Sequence, residues 1–122
     1  MRKLILQIQT TADGFVAGPN DEQDWLTMLP DDKFVAFRDA LTDSFDTIIA
    51  GRKMSEGWAQ YWESVPPDSP WYTMAQKIVN TPKIVFSKTI TDLPGKNVHV
   101  ENGDLVQAVK ALKKLPGKNI IV

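Results

Sequence analysis

A near-continuous apolar run, Thr47-Ile48-Ile49-Ala50, stops at Gly51 and is followed by two cations, Arg52 and Lys53. A strand that is apolar at successive positions is buried on both faces, which is typical of parallel sheets covered by helices. Gly51 then provides the turn, and Arg52 and Lys53 open the next helix. The segment therefore predicts a strand–turn–helix unit of an α/β protein, with a helix N-terminus at the carboxyl end of a buried strand.

Strand-like and helix-like periods alternate along the whole chain. Strands are predicted at residues 3–10, 45–50, 83–86, 97–101 and 119–122. Helices are predicted from residue 31 or 32, at about 52–62, at 71–79, and from residue 102 or 104. This order predicts a single α/β domain over residues 1–122, with a mainly parallel central sheet flanked by helices.

The spacing of apolar residues also predicts which side chains are buried. Phe34, Phe37 and Leu41 recur at i, i+3 and i+7, so they should form the apolar face of the first helix. Residues 11–24 are predicted to be a long loop, and residues 15–17 within it are expected to insert into the core.

The last predicted strand runs to Val122, where the chain ends. We expect the domain to be the N-terminal two-thirds of a longer one, truncated at its C-terminus; the alternative is that a partner completes the last strand. On either view the last strand should have an unpaired edge and no cover, so the domain should be poorly stable alone.

Composition excludes several classes of function. The chain has 122 residues with 14 basic and 15 acidic side chains, so its net charge of −1 provides no field that would attract nucleic acid or an anionic membrane. It has no cysteine for disulfides, thiolate catalysis or zinc. No apolar run reaches the roughly 18 residues that span a bilayer. His99, the one histidine, is expected to be structural. A cytoplasmic protein without a metal is predicted.

Two basic segments follow predicted strands. Gly51-Arg52-Lys53 follows one, and Ser87-Lys88 follows the next. If these strands are neighbours, three cations and a hydroxyl can converge on one anion at the carboxyl edge of the sheet. Such a set suits a phosphate monoester, such as the 2′-phosphate of NADP. The alternative for Arg52 and Lys53 is the basic first turn of a solvated helix.

Four motifs occur together and in order. They are TADGFVAGPN at 11–20, DWL at 24–26, IAGRK at 49–53 and VFSKT at 85–89. As a set they resemble the dihydrofolate-reductase-like superfamily, and within it the branch related to the RibD C-terminal domain, the reductase of riboflavin biosynthesis. The resemblance runs the length of the chain. It implies an α/β reductase that binds NADPH and forms a homodimer.

The resemblance also implies a role for particular residues. The cofactor-binding residues that it implies are Gln9, Val16, Trp25, Gly51, Arg52, Lys53, Met54, Ser87 and Lys88. Arg52 would lie near the 2′-phosphate and the helix start at Lys53 near the pyrophosphate. Backbone atoms of Gln9 and Val16 would meet the nicotinamide, and Trp25 would stand at the mouth of the active site.

Three departures from the family pattern concern cofactor and substrate. Met54 stands where the family commonly has threonine, so a hydroxyl toward the pyrophosphate is lost. Gln7 stands where the riboflavin-pathway enzymes carry a lysine. The glycine-glycine turn that the family places under the pyrophosphate would follow Val122.

A reductase of this kind needs a proton for its substrate as well as the cofactor's hydride. Asp13 and Asp31 are the candidate donors. The predicted function is NADPH-dependent reduction of a pteridine- or pyrimidine-like small molecule, related to 5-amino-6-(5-phosphoribosylamino)uracil reductase. The alternative is a non-catalytic α/β module that binds a nucleotide or dimerises.

Overall fold

The computed structural model describes residues 1–23 and 31–122. Within these ranges the strands are β1 (Leu4–Ile5), β2 (Phe45–Gly51), β3 (Lys83–Phe86), β4 (Val98–Glu101) and β5 (Asn119–Ile121). The helices are α1 (Asp32–Asp43), α2 (Arg52–Ser55), α3 (Trp58–Glu63), α4 (Tyr72–Asn80) and α5 (Leu105–Lys114). The strands form one sheet in the order β1-β5-β2-β3-β4, and every neighbouring pair is parallel. The predicted α/β class with a parallel central sheet is confirmed.

Strand β2 is the centre of the core. Residues 47–50 are all buried, as the near-continuous apolar run predicts. Phe45 and Ile48 pack with Ile78 of α4 and Ile121 of β5. The partly buried side chains around them come from β1 and from three helices, and they are Ile5, Leu41, Trp58, Trp62 and Met74.

Strand β5 contradicts the expected unpaired edge. It pairs with β1 on one side and with β2 on the other. Ile120 is completely buried. The last strand in sequence is thus an interior strand of the sheet, because both of its rows of backbone groups have partners.

Strand β1 is shorter than the predicted 3–10. Its backbone pairing with β5 runs from Lys3, whose carbonyl accepts the Ile120 N–H, to Gln7, whose N–H donates to the Val122 carbonyl. Leu6 is 73% exposed and Ile8 is 63% exposed, so alternating apolar residues here do not mark a strand buried on one face.

Three further predictions of local structure are wrong. Gly57 has a left-handed backbone, φ 76°, which divides the predicted helix 52–62 into α2 and α3. Phe37 is 62% exposed, because α1 turns the polar residues Arg38 and Thr42 inward instead. The Arg38 guanidinium lies 5.0 Å from the centre of the Trp71 ring. Phe15 does not insert into the core, and its side chain is 64% exposed.

A buried arginine ties together the starts of three strands. The Arg2 side chain donates to the Lys118 carbonyl (2.6 Å), to the Thr47 hydroxyl (2.7 Å) and to the Asp46 carboxylate. The other oxygen of Asp46 accepts the Lys118 N–H at 2.8 Å. Gly117 permits this close approach, since a Cβ there would lie 2.6 Å from Asp46 Oδ2. Arg2 therefore joins β1, β2 and the turn that leads into β5.

No helix within residues 1–23 and 31–122 has the length and apolarity required to cross a membrane.

We expect Arg2→Met to lower the free energy of unfolding by about 2–3 kcal/mol. Breaking a buried ion pair costs about 3–5 kcal/mol, and the partial exposure of Asp46 reduces that cost. Chemical denaturation of Arg2→Met beside Lys3→Met, a change at the exposed neighbouring cation, measures the effect. The control should stay within about 0.5 kcal/mol of wild type. Equal losses in the two variants would contradict the role given to Arg2.

Asp46 makes the stability of the protein sensitive to acid. Partial burial raises the pKa of its carboxyl, but hydrogen bonds from the Lys118 N–H and the Thr47 hydroxyl, with the charge of Arg2, bring the pKa below its usual value. A carboxyl whose pKa is lowered on folding stabilises the folded state at pH values above its unfolded pKa of about 3.9. This stabilisation is lost as the pH falls through the folded pKa. Asp46→Asn should thus be less stable than wild type at pH 7, and the difference should shrink below about pH 4. A difference that stays constant down to pH 3 on thermal unfolding would refute this account.

Candidate functional site

The carboxyl ends of three neighbouring strands lie at one edge of the sheet. Gly51 at the end of β2 is in register with Phe86 at the end of β3. Phe86 in turn is in register with Glu101 at the end of β4. Because the strands are parallel, the segments that begin with Arg52 and Ser87 leave the sheet side by side. The two basic segments found in the sequence do follow neighbouring strands.

The helix behind Gly51 is shorter than the sequence predicts. Gly51 caps α2 with extended backbone and without a side-chain hydrogen bond, and α2 has four residues. One helical turn aligns few peptide dipoles, so the anion-attracting helix N-terminus expected here is weak. The Arg52 guanidinium forms an ion pair with Glu56, four residues further on. Lys53 and Met54 are exposed. Arg52 therefore reaches this edge with its charge partly compensated.

A cleft of about 160 Å³ opens beside the ends of β3 and β4. It is lined by residues from both strand ends and from the start of α5, namely Phe86, Ser87, Lys88, Glu101, Gly103 and Leu105. Whole small ligands fill pockets of about 300–1,000 Å³, so this cleft can hold only one part of a dinucleotide. Of the residues predicted to bind the cofactor, Ser87 and Lys88 line this cleft, whereas Arg52, Lys53 and Met54 do not.

The loops that follow β3 and β4 are joined by reciprocal hydrogen bonds. Lys88 Nζ donates to the carbonyls of Asn102 and Gly103, each at 2.8 Å. Asn102 Nδ2 donates to the carbonyls of Ser87 and Ile90, each at 2.7 Å. We call these four bonds the Lys88–Asn102 clasp. An ammonium has three N–H donors, so Lys88 retains one donor beyond the clasp.

Ser87 and Glu101 complete the polar lining of the cleft. Ser87 Oγ accepts the N–H groups of Thr89 (3.1 Å) and Ile90 (3.2 Å), which holds the hydroxyl in place. Glu101 Oε1 accepts the Gly103 N–H at 2.6 Å and brings a carboxylate to the cleft. Carboxylates therefore lie beside two of the three cations that the sequence predicts to converge here. Lys88 shares the cleft with a carboxylate, and Arg52 pairs with one nearby.

Sequence reasoning missed Glu101 and Asn102 as site residues. Both lie where a strand ends, the same signal that singled out Ser87 and Lys88. The sequence predicts only that a helix begins at residue 102 or 104, and the structure gives its N-cap to Asp104, which accepts the Gln107 N–H at 2.8 Å.

A second group of predicted site residues follows β1. Gln9, Asp13 and Val16 are all exposed. Asp13 Oδ1 accepts the Thr11 hydroxyl at 2.5 Å, in a turn that a hydrogen bond from the Phe15 N–H to the Thr11 hydroxyl also closes. Neighbouring strands lie about 4.8 Å apart, so the ends of β1 and β3 are separated by about 14 Å across β5 and β2. The predicted residues thus follow strands that end at two places along this edge, β1 and the neighbouring pair β2 and β3.

Of the two remaining predicted site residues, the structure describes Asp31 but not Trp25. Asp31 is the N-cap of α1, and its carboxylate accepts the Phe34 N–H at 2.7 Å. The structure therefore gives it a capping role. Trp25 lies outside the residues that the structure describes. Elsewhere, His99 is exposed on β4, and no three His, Cys, Asp or Glu side chains of residues 1–23 and 31–122 are grouped to hold a metal ion.

Known proteins match this chain over almost its whole length. The family model for the RibD C-terminal domain matches residues 2–122. The "Uncharacterized protein YyaP" of Bacillus subtilis (strain 168) is 34% identical over 119 residues, which are 98% of this chain and 61% of that protein. The solved structure of a "Putative riboflavin biosynthesis protein" from Shewanella sp. PV-4 is similar with a TM-score of 0.62 and 25% identity.

That similarity covers 99% of this chain and 63% of the Shewanella chain. The chain therefore spans about three-fifths of the length of these relatives. The family match covers far more than half of the chain, and the parallel sheet agrees with it. The chain belongs to the RibD C-terminal domain family and has its dihydrofolate-reductase-like fold.

Proposed function

We propose that the protein is an NADPH-dependent reductase of a pteridine- or pyrimidine-like small molecule, related to 5-amino-6-(5-phosphoribosylamino)uracil reductase. The observation that carries the proposal is the cleft beside β3 and β4, in a chain of this reductase family. Its lining combines an ammonium, a held hydroxyl and backbone groups at the carboxyl edge of a parallel sheet, where such sheets bind nucleotides.

The residues at this edge fit the phosphate-bearing end of the cofactor. Lys88 retains one N–H donor, and a charge-assisted hydrogen bond to phosphate is about twice as strong as a neutral one. Arg52 leaves the neighbouring strand β2 and can contribute a second such bond by exchanging its exposed partner Glu56 for the phosphate. The size of the cleft suits this end of the molecule alone, so the nicotinamide would extend toward the loop after β1.

The loop after β1 would serve the reacting end. Backbone atoms of Gln9 and Val16 would orient the nicotinamide, and Trp25 would border the substrate. When bound, the cofactor supplies the hydride. The protein must then deliver a proton at a fixed position. Asp13 suits this task better than Asp31, because the Thr11 hydroxyl orients the Asp13 carboxylate while the Asp31 carboxylate is committed to its helix cap.

The oligomeric state, the location and the substrate class belong to the same proposal. We propose a homodimer that acts in the cytoplasm on a small heterocyclic substrate. The name of the Shewanella relative refers to riboflavin biosynthesis, which supports a pyrimidine of that kind. Gln7, at the position where we align a lysine of the riboflavin-pathway enzymes, favours a related substrate with a different polar group.

NADPH should bind more tightly than NADH, and Arg52→Gln should weaken NADPH about tenfold while changing NADH less than twofold. One lost charge-assisted bond at an exposed position accounts for that factor. Glu56→Gln is the matched variant, because it frees Arg52 and should strengthen NADPH binding. Titration followed by tryptophan or nicotinamide fluorescence measures the NADPH and NADH dissociation constants of wild type and of both variants. Equal losses for both cofactors in Arg52→Gln would contradict the assignment. Absence of binding to wild type would favour a non-catalytic module.

Asp13→Asn should lower kcat about a hundredfold with little change in NADPH affinity, since general acid catalysis contributes about 10²–10⁴-fold. Asp31→Asn should have a much smaller effect, because asparagine caps a helix as well as aspartate does. Asp32→Asn, an exposed neighbour, is the control. NADPH oxidation with dihydrofolate and with 5-amino-6-(5-phosphoribosylamino)uracil measures turnover. If Asp31→Asn alone abolished it, the proton donor would be Asp31.

A further inference from the structure

Asn102 uses both N–H donors of its side-chain amide to bridge two points of another loop. Its two N–H donors are directed at the carbonyls of Ser87 and Ile90, which begin and end the turn after β3. The backbone carbonyl of Asn102 accepts one N–H of Lys88. No other pair of loops at this edge, among the described residues, is joined by side-chain bonds in both directions.

We propose that Asn102 is a positioning residue that holds Ser87 and Lys88 in the geometry required by the cofactor's phosphate. The inference rests on the proposed function. Both N–H donors of the Asn102 side chain are already used, so this side chain acts through the loop that it holds.

The clasp matters because lysine is a flexible side chain. A free, exposed lysine populates many rotamers, and a ligand that orders it must offset that entropy. Here two of the three Lys88 donors are already fixed at 2.8 Å from carbonyls of the neighbouring loop. The third donor is thereby oriented before any ligand arrives. Binding then costs less ordering, which raises affinity without a new contact.

The clasp also compensates for the charge balance of the cleft. Glu101 brings a carboxylate into the same lining as Lys88, and a mobile ammonium would be drawn toward that carboxylate. Holding Lys88 on two carbonyls keeps the charges apart, since no Lys88–Glu101 ion pair occurs among the described residues. A positioned ammonium can therefore meet a phosphate even though the net charge around the cleft is close to zero.

The experiment compares Asn102→Ala with Asn97→Gly. Asn97 makes the same kind of bond at the other end of β4, from Nδ2 to the Val79 carbonyl at 2.9 Å. Glycine is used there because Asn97 has a left-handed φ of 55°. Dissociation constants for NADPH and NADH are measured by fluorescence titration, with thermal unfolding and hydrogen exchange of residues 87–90 on the same samples. Asn102→Ser, too short to reach both carbonyls, replaces Asn102→Ala if that variant does not fold.

We expect Asn102→Ala to raise the NADPH dissociation constant about tenfold. Once the turn 87–90 is released from the Asn102 side chain, it no longer holds Lys88 in place against the backbone carbonyls of residues 102 and 103, and the ligand must order that side chain itself. The NADH constant should change less than twofold, and exchange of residues 87–90 should become faster. Asn97→Gly should leave both constants unchanged. The effects of Asn102→Ala and Lys88→Ala on NADPH should be non-additive in the double variant, because each removes two of the four bonds of the same clasp.

Three results would overturn the inference. An unchanged NADPH constant in Asn102→Ala would show that the clasp does not position the site. Equal weakening of NADPH and NADH, with a loss of melting temperature, would show a merely structural role. If wild type binds neither nucleotide, the proposed function fails and the inference fails with it, which the wild-type titration alone reveals.

Discussion

The rest of the structure depends on the placement of β5 between β1 and β2. The strand is last in sequence, yet both of its edges are paired and Ile120 is completely buried. Only when β5 is in place do the loop after β1 and the loop after β2 become parts of one edge. The separation of the two groups of site residues is set by the width of the strands between them.

Arg2 secures that placement at the opposite edge of the sheet. It contacts the turn before β5 through the Lys118 carbonyl, which is 116 positions away in the chain. Contacts of such sequence separation form late and slowly, because the intervening loop must close first. The charge pair is satisfied by the Thr47 hydroxyl and the Lys118 N–H as well. A buried guanidinium with these partners selects the correct alignment of three strands more than it adds stability.

At the carboxyl edge, the described residues offer donors held at fixed positions and little net positive charge. Arg52 is opposed by Glu56, and Lys88 shares the cleft with Glu101. A strong positive field is therefore absent from this part of the described structure, and the chain as a whole carries a net charge of −1. Groups held at fixed positions can still bind strongly, since they need no reorganisation when the ligand arrives. The same pairing discourages indiscriminate binding of polyanions.

The sequence by itself determined the features that depend on neighbouring residues. The run 47–50 identified the buried central strand, Gly51 its end, and alternation of strands and helices the α/β class. The dihydrofolate-reductase-like family could also be predicted, since the four motifs follow one another in order, and the family match confirms it. Asp104 was one of two candidates for its helix cap, and the structure selects it. These signals are local, because turns, caps and apolar periods act over a few residues.

Only the tertiary structure decided what each side chain faces. Phe37 fits an apolar helical spacing yet is exposed, and polar Arg38 is buried against Trp71. The spacing of residues shows that they share a face, and the packing partner alone determines which face is buried. The sequence alone presents Lys88 as a free cation, because Asn102 becomes its neighbour only in the folded protein. The two residues are 14 positions apart and meet because β3 and β4 are paired in parallel, a long-range contact that no local pattern encodes.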